Sequence, residues 1–97
     1  MGYSIKPKAD ADIEGIWVYT LDHWTREQAD KYRGLIMEEV LRLTTHPFSG
    51  KDYSHVKKGY RCSKVVSHLI IYRIKGNDIE IVRVLHQRMD IPNRLRG

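Results

Sequence analysis

The stretch Ser67–His86, "SHLIIYRIKGNDIEIVRVLH", decides how this chain folds. Two runs rich in Ile, Val and Tyr flank Gly76-Asn77. Both of those residues tolerate positive φ, which suits a two-residue hairpin loop. With Lys75 and Asp78 closing the turn, Arg73 faces Glu80, Ile71 faces Val82, Leu69 faces Val84 and Ser67 faces His86 on one side of the sheet. The other side sets Ile74 against Ile79, Tyr72 against Ile81, Ile70 against Arg83 and His68 against Leu85. The opposite charges of Arg73 and Glu80 support this register by about 0.5 kcal/mol.

Both sides of that hairpin are apolar, and a pair of helices covers only one face of a small sheet. Burying an unpaired Arg is costly. The side bearing Arg83 is therefore expected to stay uncovered, showing Ile70, Tyr72, Ile74, Ile79 and Ile81 as a contiguous apolar patch of the kind that marks a partner site. The alternative is that Arg83 pairs with a helix carboxylate and the faces are reversed. In this register Arg83 and His86 point to opposite faces. A centre that cuts phosphodiesters needs its acid, base and phosphate clamp at one spot. The strand end "LHQRMD" (Leu85–Asp90) thus reads as a docking end, with His86 a structural histidine.

Upstream, the apolar period changes from two to that of a helix. "YSIKP" (Tyr3–Pro7) is a short strand stopped by Pro7, which cannot donate to a ladder. From about Ala9, Ile13, Ile16, Trp17, Leu21 and Trp24 fall on one helical face, with Thr20 in the same stripe and its hydroxyl free to bond one turn back. Asp10, Asp12 and Glu14 complement the start of that helix. Thr25 and Gln28 form a capping box for a second helix running to about Leu43, whose apolar face is Ala29, Tyr32, Leu35, Ile36, Val40 and Leu43. The break at His23–Thr25 allows only a turn, so the two helices form an antiparallel hairpin. Pro47 and Gly50 mark a loop. "GYRCSKV" (Gly59–Val65) is then the first of three meander strands. The closing "IPNRLRG" (Ile91–Gly97) reads as frayed or briefly helical.

With 97 residues the chain is expected to be one domain, 1–97, with a flexible tail from about 91. Apolar residues are 41% and charged residues 30%, a globular composition that is neither disordered nor membrane-like. No apolar run approaches the roughly 20 residues that span a bilayer, and the N-terminus lacks a signal peptide's apolar centre. A cytoplasmic location is the default. Cys62 stands alone, which excludes an internal disulfide and a cysteine zinc cage. The five His show no metal-ligand spacing, so neither metal nor cofactor is expected. The net charge of +5 is uneven. Residues 1–48 carry six Lys/Arg against eight Asp/Glu, whereas residues 49–97 carry eleven against four. The basic half suits nucleic acid or an acidic protein.

The layout of strand, helical hairpin and three strands resembles the RelE/ParE superfamily of bacterial toxins. The motifs resemble its ParE branch: "IWVYTLDHWTREQADKY" (Ile16–Tyr32), "GYR" (Gly59–Arg61) followed by "SHLIIYRI" (Ser67–Ile74), and "IVRVLHQRMD" (Ile81–Asp90). The likeness runs from about residue 4 to Asp90, with its blocks in order. It implies an α+β fold with helices on one face of the sheet. It also implies a toxin of a type II toxin–antitoxin module that acts on DNA gyrase through protein contacts, without catalysis. Neutralisation would come from a ParD-like antitoxin, in a hetero-oligomer, with no membrane involved and contact with DNA only indirect.

The antitoxin is expected on Arg61, Ile70, Tyr72, Ile74, Ile81 and Arg83. Gyrase is expected on a cationic arm that includes Arg88, Met89, Arg94 and Arg96. The superfamily's relatives that cut mRNA on the ribosome combine Arg and Lys with a Tyr or His near the C-terminus. Here Arg61, Lys64 and Arg83 match the cationic part, but no Tyr follows the last strand, and the chain reads Met89-Asp90 instead. Ribosome-dependent cleavage is therefore the alternative reading. A non-toxic nucleic-acid binder is a third, with no recognition-helix motif to support it.

Overall fold

The computed structural model describes residues 2–96; Met1 and Gly97 lie outside the described residues. Strand β1 (Tyr3–Ile5) leads into α1 (Pro7–His23) and α2 (Arg26–Thr45). Then follow β2 (Lys51–Asp52), β3 (Tyr60–Val65), β4 (His68–Lys75), β5 (Asp78–His86) and the short α3 (Ile91–Arg94). Pro7 both ends β1 and opens α1, since its fixed φ and missing N–H suit the first helical position. Thr25 caps α2, its hydroxyl accepting from the Gln28 N–H at 3.1 Å. Thr20 donates to the Ile16 carbonyl at 2.8 Å, as its place in the stripe suggests. The helices run antiparallel, tied by Trp17 Nε1 donating to Asp30 at 2.9 Å and by the exposed Arg33–Glu14 pair.

The sheet has five strands in the order β1-β5-β4-β3-β2. Strand β1 lies parallel to β5, and β3, β4 and β5 form the antiparallel meander. The two-residue β2 on the outer edge is too short to carry a period. The β4–β5 turn takes positive φ at Gly76 only (63°). The expected register holds from Lys75↔Asp78 to Tyr72↔Ile81, and then slips. Ile71 pairs with Arg83, Ile70 with Val84, Leu69 with Leu85 and His68 with His86. Val82 is the extra residue of a β-bulge, so Val82 and Arg83 both turn to the same face and every later side chain of β5 changes sides.

The bulge and a helix carboxylate together correct the expected choice of faces. Ile70, Tyr72, Ile79 and Ile81 lie under the helices, packed with Ala9, Ile13, Ile36, Val40 and Leu43. Arg83 donates through Nε and Nη2 to Asp12 of α1 at 2.7 and 2.9 Å. Strand β1 stops after Ile5, and the Lys6 N–H reaches the Ile81 carbonyl at 3.0 Å. Asp12 then continues that edge by accepting the Val84 N–H at 3.0 Å. One carboxylate thus satisfies an edge N–H and a guanidinium, which removes the objection to an Arg near the helices.

The opposite face is also covered. Tyr60, Cys62, Ile71, Val82 and Leu85 pack with Ile91 and Leu95 of the C-terminal segment, and Tyr53 and Val56 lean against them. The tail expected to be a flexible arm from about 91 is instead a packed helical turn, because Ile91 and Leu95 land on an apolar face that needs a cover.

A candidate partner-binding groove

The second half of α1, the first half of α2, the β3–β4 turn and the end of β5 enclose an open groove of about 880 Å³. It begins beside the core residue Val84, and no element of the described residues fills it. Its rim carries large apolar side chains that elsewhere would be buried. Trp24 is 70% exposed and Val66 66%, with Tyr19, Leu35 and Met89 also exposed. Val66 sits in the tight turn between β3 and β4 with φ of 54°. That conformation costs a β-branched residue about 1–2 kcal/mol, and strain of this kind gathers at binding sites.

The floor is polar. His68 and His86 face each other across the strand pair, with ring centroids 5.1 Å apart at nearly right angles. The Tyr32 hydroxyl contacts His68 Nδ1 at 2.5 Å and the Val65 carbonyl at 3.2 Å. His86 Nδ1 accepts the Arg88 N–H at 3.1 Å, which places the proton of a neutral ring on Nε2. Burial pushes the His68 pKa down to about 4, His86 pushes it the same way, and Asp12 opposes them. At neutral pH His68 is uncharged, and Lys31 is the one Lys or Arg among the groove's lining residues.

The bulge therefore brings together His68 and His86, which strict alternation had separated. It does not bring them a phosphate clamp. The same bulge turns Arg83 to the other face, where it is held by Asp12 and donates to the Arg94 carbonyl at 3.1 Å. Arg61 lies on the helix side but is turned to the loop before β2, donating to the Phe48 and Gly50 carbonyls at 2.9 and 2.7 Å. There the Tyr72 hydroxyl donates to the Pro47 carbonyl and accepts the Gly50 N–H, so the ring fits only against a glycine. Lys64 is exposed on the face away from the helices. The three cations matched to an mRNA-cutting set stand at three separate places.

The residues expected to bind an antitoxin need the same correction. Ile70, Tyr72 and Ile81 are 0% exposed beneath the helices, Ile74 is half-buried beside them, and Arg61 and Arg83 are engaged within the fold. None of the six forms an open face. Of the residues expected to meet gyrase, Met89 stands at the groove rim with exposed Arg88 beside it. Arg94 is on the other side of the sheet and Arg96 is exposed at its end, so the four do not form one arm. The helical spacing puts the rim residues Trp24 and Leu35 in core stripes, whereas the structure leaves both exposed. The available signal was Tyr19 and Trp24 together, which make the apolar arc of α1 wider at its C-terminal end than a single sheet contact requires.

A family model described as "ParE toxin of type II toxin-antitoxin system, parDE" matches residues 3–91. "Toxin ParE1" of Mycobacterium tuberculosis is 37% identical over 94 residues, covering 96% of both chains. "Toxin ParE1" of Caulobacter vibrioides is 35% identical over 88 residues and 91% of both chains. "Toxin ParE" of Escherichia coli is 29% identical over 94 residues, covering 96% of this chain and 91% of its own. A solved chain titled "Chromosomal ParDE TA system from P. aeruginosa" has the same fold. Its TM-score is 0.77 at 24% identity, over 89% of this chain and 95% of that one.

Proposed function

The chain belongs to the ParE toxin family of type II toxin–antitoxin systems, and on that premise we propose that it blocks replication by engaging DNA gyrase through protein contacts and is neutralised by a ParD-like antitoxin. The observation that carries the reading is agreement along nearly the whole chain with relatives named as toxins, among them one 37% identical over 96% of its length.

The groove supports a place for the antitoxin. Its exposed Trp24, Leu35, Val66 and Met89 suit the apolar face of an amphipathic helix that is disordered alone and folds on docking. Acidic flanks on that helix would meet Lys31 and the chain's overall positive charge. Gyrase contact stays with exposed Arg88 and Met89 at the groove rim, while Arg94 and Arg96 would need a separate surface of the enzyme. Because Met89 belongs to the groove rim, an antitoxin lying there would cover part of that contact. The action is non-catalytic and takes place in the cytoplasm, where gyrase works; no helix of the described residues is long and apolar enough to cross a membrane.

A second reading, mRNA cleavage on the ribosome, draws on one observation, the paired His68 and His86. Purified protein added to a gyrase supercoiling assay, beside expression in a bacterium, separates the two. Inhibited supercoiling, an induced DNA-damage response and rescue by the antitoxin are expected. Early arrest of translation with codon-specific mRNA cuts, lost in His86→Ala, would overturn the gyrase reading in favour of the second.

A further inference from the structure

We propose that a basic hollow on the side of the sheet opposite the groove binds the phosphate backbone of duplex DNA directly. The hollow holds about 440 Å³ and is lined by Lys6, Lys8, Lys57, Arg83 and Arg94, with Tyr60, Val82 and Leu95 among its apolar walls. Four separate segments deliver those cations: the start of α1, the loop before β3, strand β5 and the C-terminal turn. Among the described residues no carboxylate lines it.

Among the described residues Lys6, Lys8, Lys57 and Arg94 make no ion pair, whereas Arg83 is matched by Asp12. Glu80, the acid whose carboxyl feels Lys6, is committed to Arg73 and Lys75. The cations are also positioned. Arg83 holds the Arg94 carbonyl, and Lys57 Nζ lies 5.6 Å from the centre of the Tyr60 ring. Uncompensated like charges brought together around a concavity raise the local potential and attract a polyanion.

The chemistry favours phosphate over an acidic peptide. Three of the five cations are lysines, point charges that suit phosphate oxygens without bidentate geometry. The apolar walls are largely buried and offer little surface to the hydrophobic residues that anchor a peptide. Nothing at the hollow presents a helix or ribbon to a groove, so the contact reads backbone and not sequence. It goes beyond the proposed gyrase contact, shares only Arg94 with it, and is tested in the absence of gyrase.

The test is fluorescence anisotropy of a labelled duplex of mixed sequence, with the full chain, at low and moderate salt. We expect binding that weakens steeply with salt. In Lys8→Glu with Arg94→Glu, affinity should fall at least about tenfold and the salt slope should shrink by about two, one for each phosphate contact removed. The control is Arg26→Glu with Lys51→Glu, which changes net charge equally at exposed sites outside the hollow and should lose clearly less. Equal losses in the two variants would overturn the proposal, since net charge alone would explain them. So would an absence of DNA binding, or hollow-dependent binding of polyglutamate in preference to DNA. Circular dichroism checks the fold. If the Glu pair does not fold, Lys8→Gln with Arg94→Gln decides by the same comparison, with a smaller loss expected.

Discussion

Asp12 has two bonding roles across the boundary between helix and sheet. It neutralises Arg83 and accepts the Val84 N–H where β1 has run out. Arg83 and Asp12 side chains are each only 16% exposed, so removing the acid strands a guanidinium in a poorly solvated place. Asp12→Asn is expected to cost about 2–4 kcal/mol in urea unfolding. A cost below about 1 kcal/mol would mean that water replaces the carboxylate. His68 gives a pH dependence. Its folded pKa of about 4 lies below an ordinary value near 6.5, so between those values the unfolded chain holds a proton that the folded chain lacks. Stability therefore falls as pH drops through that window, by at most about 3 kcal/mol. His68→Phe should flatten the dependence of the unfolding midpoint on pH between about 6.5 and 4. An unchanged slope would remove His68 as the cause.

At the scale of elements, the four-residue α3 makes few hydrogen bonds and is held by burial. Ile91 is 5% exposed and Leu95 7%, and both rest on Val82, Leu85 and Tyr60. Two such side chains contribute about 3–5 kcal/mol together, a large share of the stability of a small domain. A chain ending at Asp90 is expected to unfold at much lower urea than the full chain, and Leu95→Ala alone to cost about 2–3 kcal/mol. Equal midpoints for the truncated and full chains would show that α3 contributes nothing. The bulge is the other decisive element. It leaves Val82 and Arg83 on one face and turns Val84 toward the helices, and His86 with it. Without it, His86 would sit behind the sheet and the groove would lose half of its polar floor.

At the scale of the molecule, two helices cover one face, the C-terminal turn covers the other, and the groove is the surface left open between the helices, the β3–β4 turn and the end of β5. Its rim residues contribute little to folding because they are open to solvent in the free chain. Trp24→Ala should therefore change stability by no more than about 0.5 kcal/mol. The same change should weaken an antitoxin seated in the groove by about 2 kcal/mol or more, roughly thirtyfold, as loss of an aromatic anchor that docking buries does. Calorimetric titration with the antitoxin, beside thermal unfolding, measures both. Unchanged affinity would move the antitoxin off this groove.

Local signals carried most of the elements. The N-cap at Thr25, the spacing of Ile13 and Ile16, the glycine turn at Gly76 and the first four rungs from Lys75 depend on near neighbours in sequence, and they are legible there. So was the family, because its motifs are runs of adjacent residues. The covered faces were decided in three dimensions. Both sides of the β4–β5 hairpin are nearly equal in apolar content, so composition could not choose between them. The choice rests on Asp12 meeting Arg83 from 71 residues away and on one extra residue, Val82, in β5. A period-two pattern has no means of announcing where an extra residue will be inserted, since either parity of an apolar strand can be buried. The same holds for the tail. Ile91 and Leu95 are too few to signal a helix, and they become core only because the sheet's second face lies within their reach.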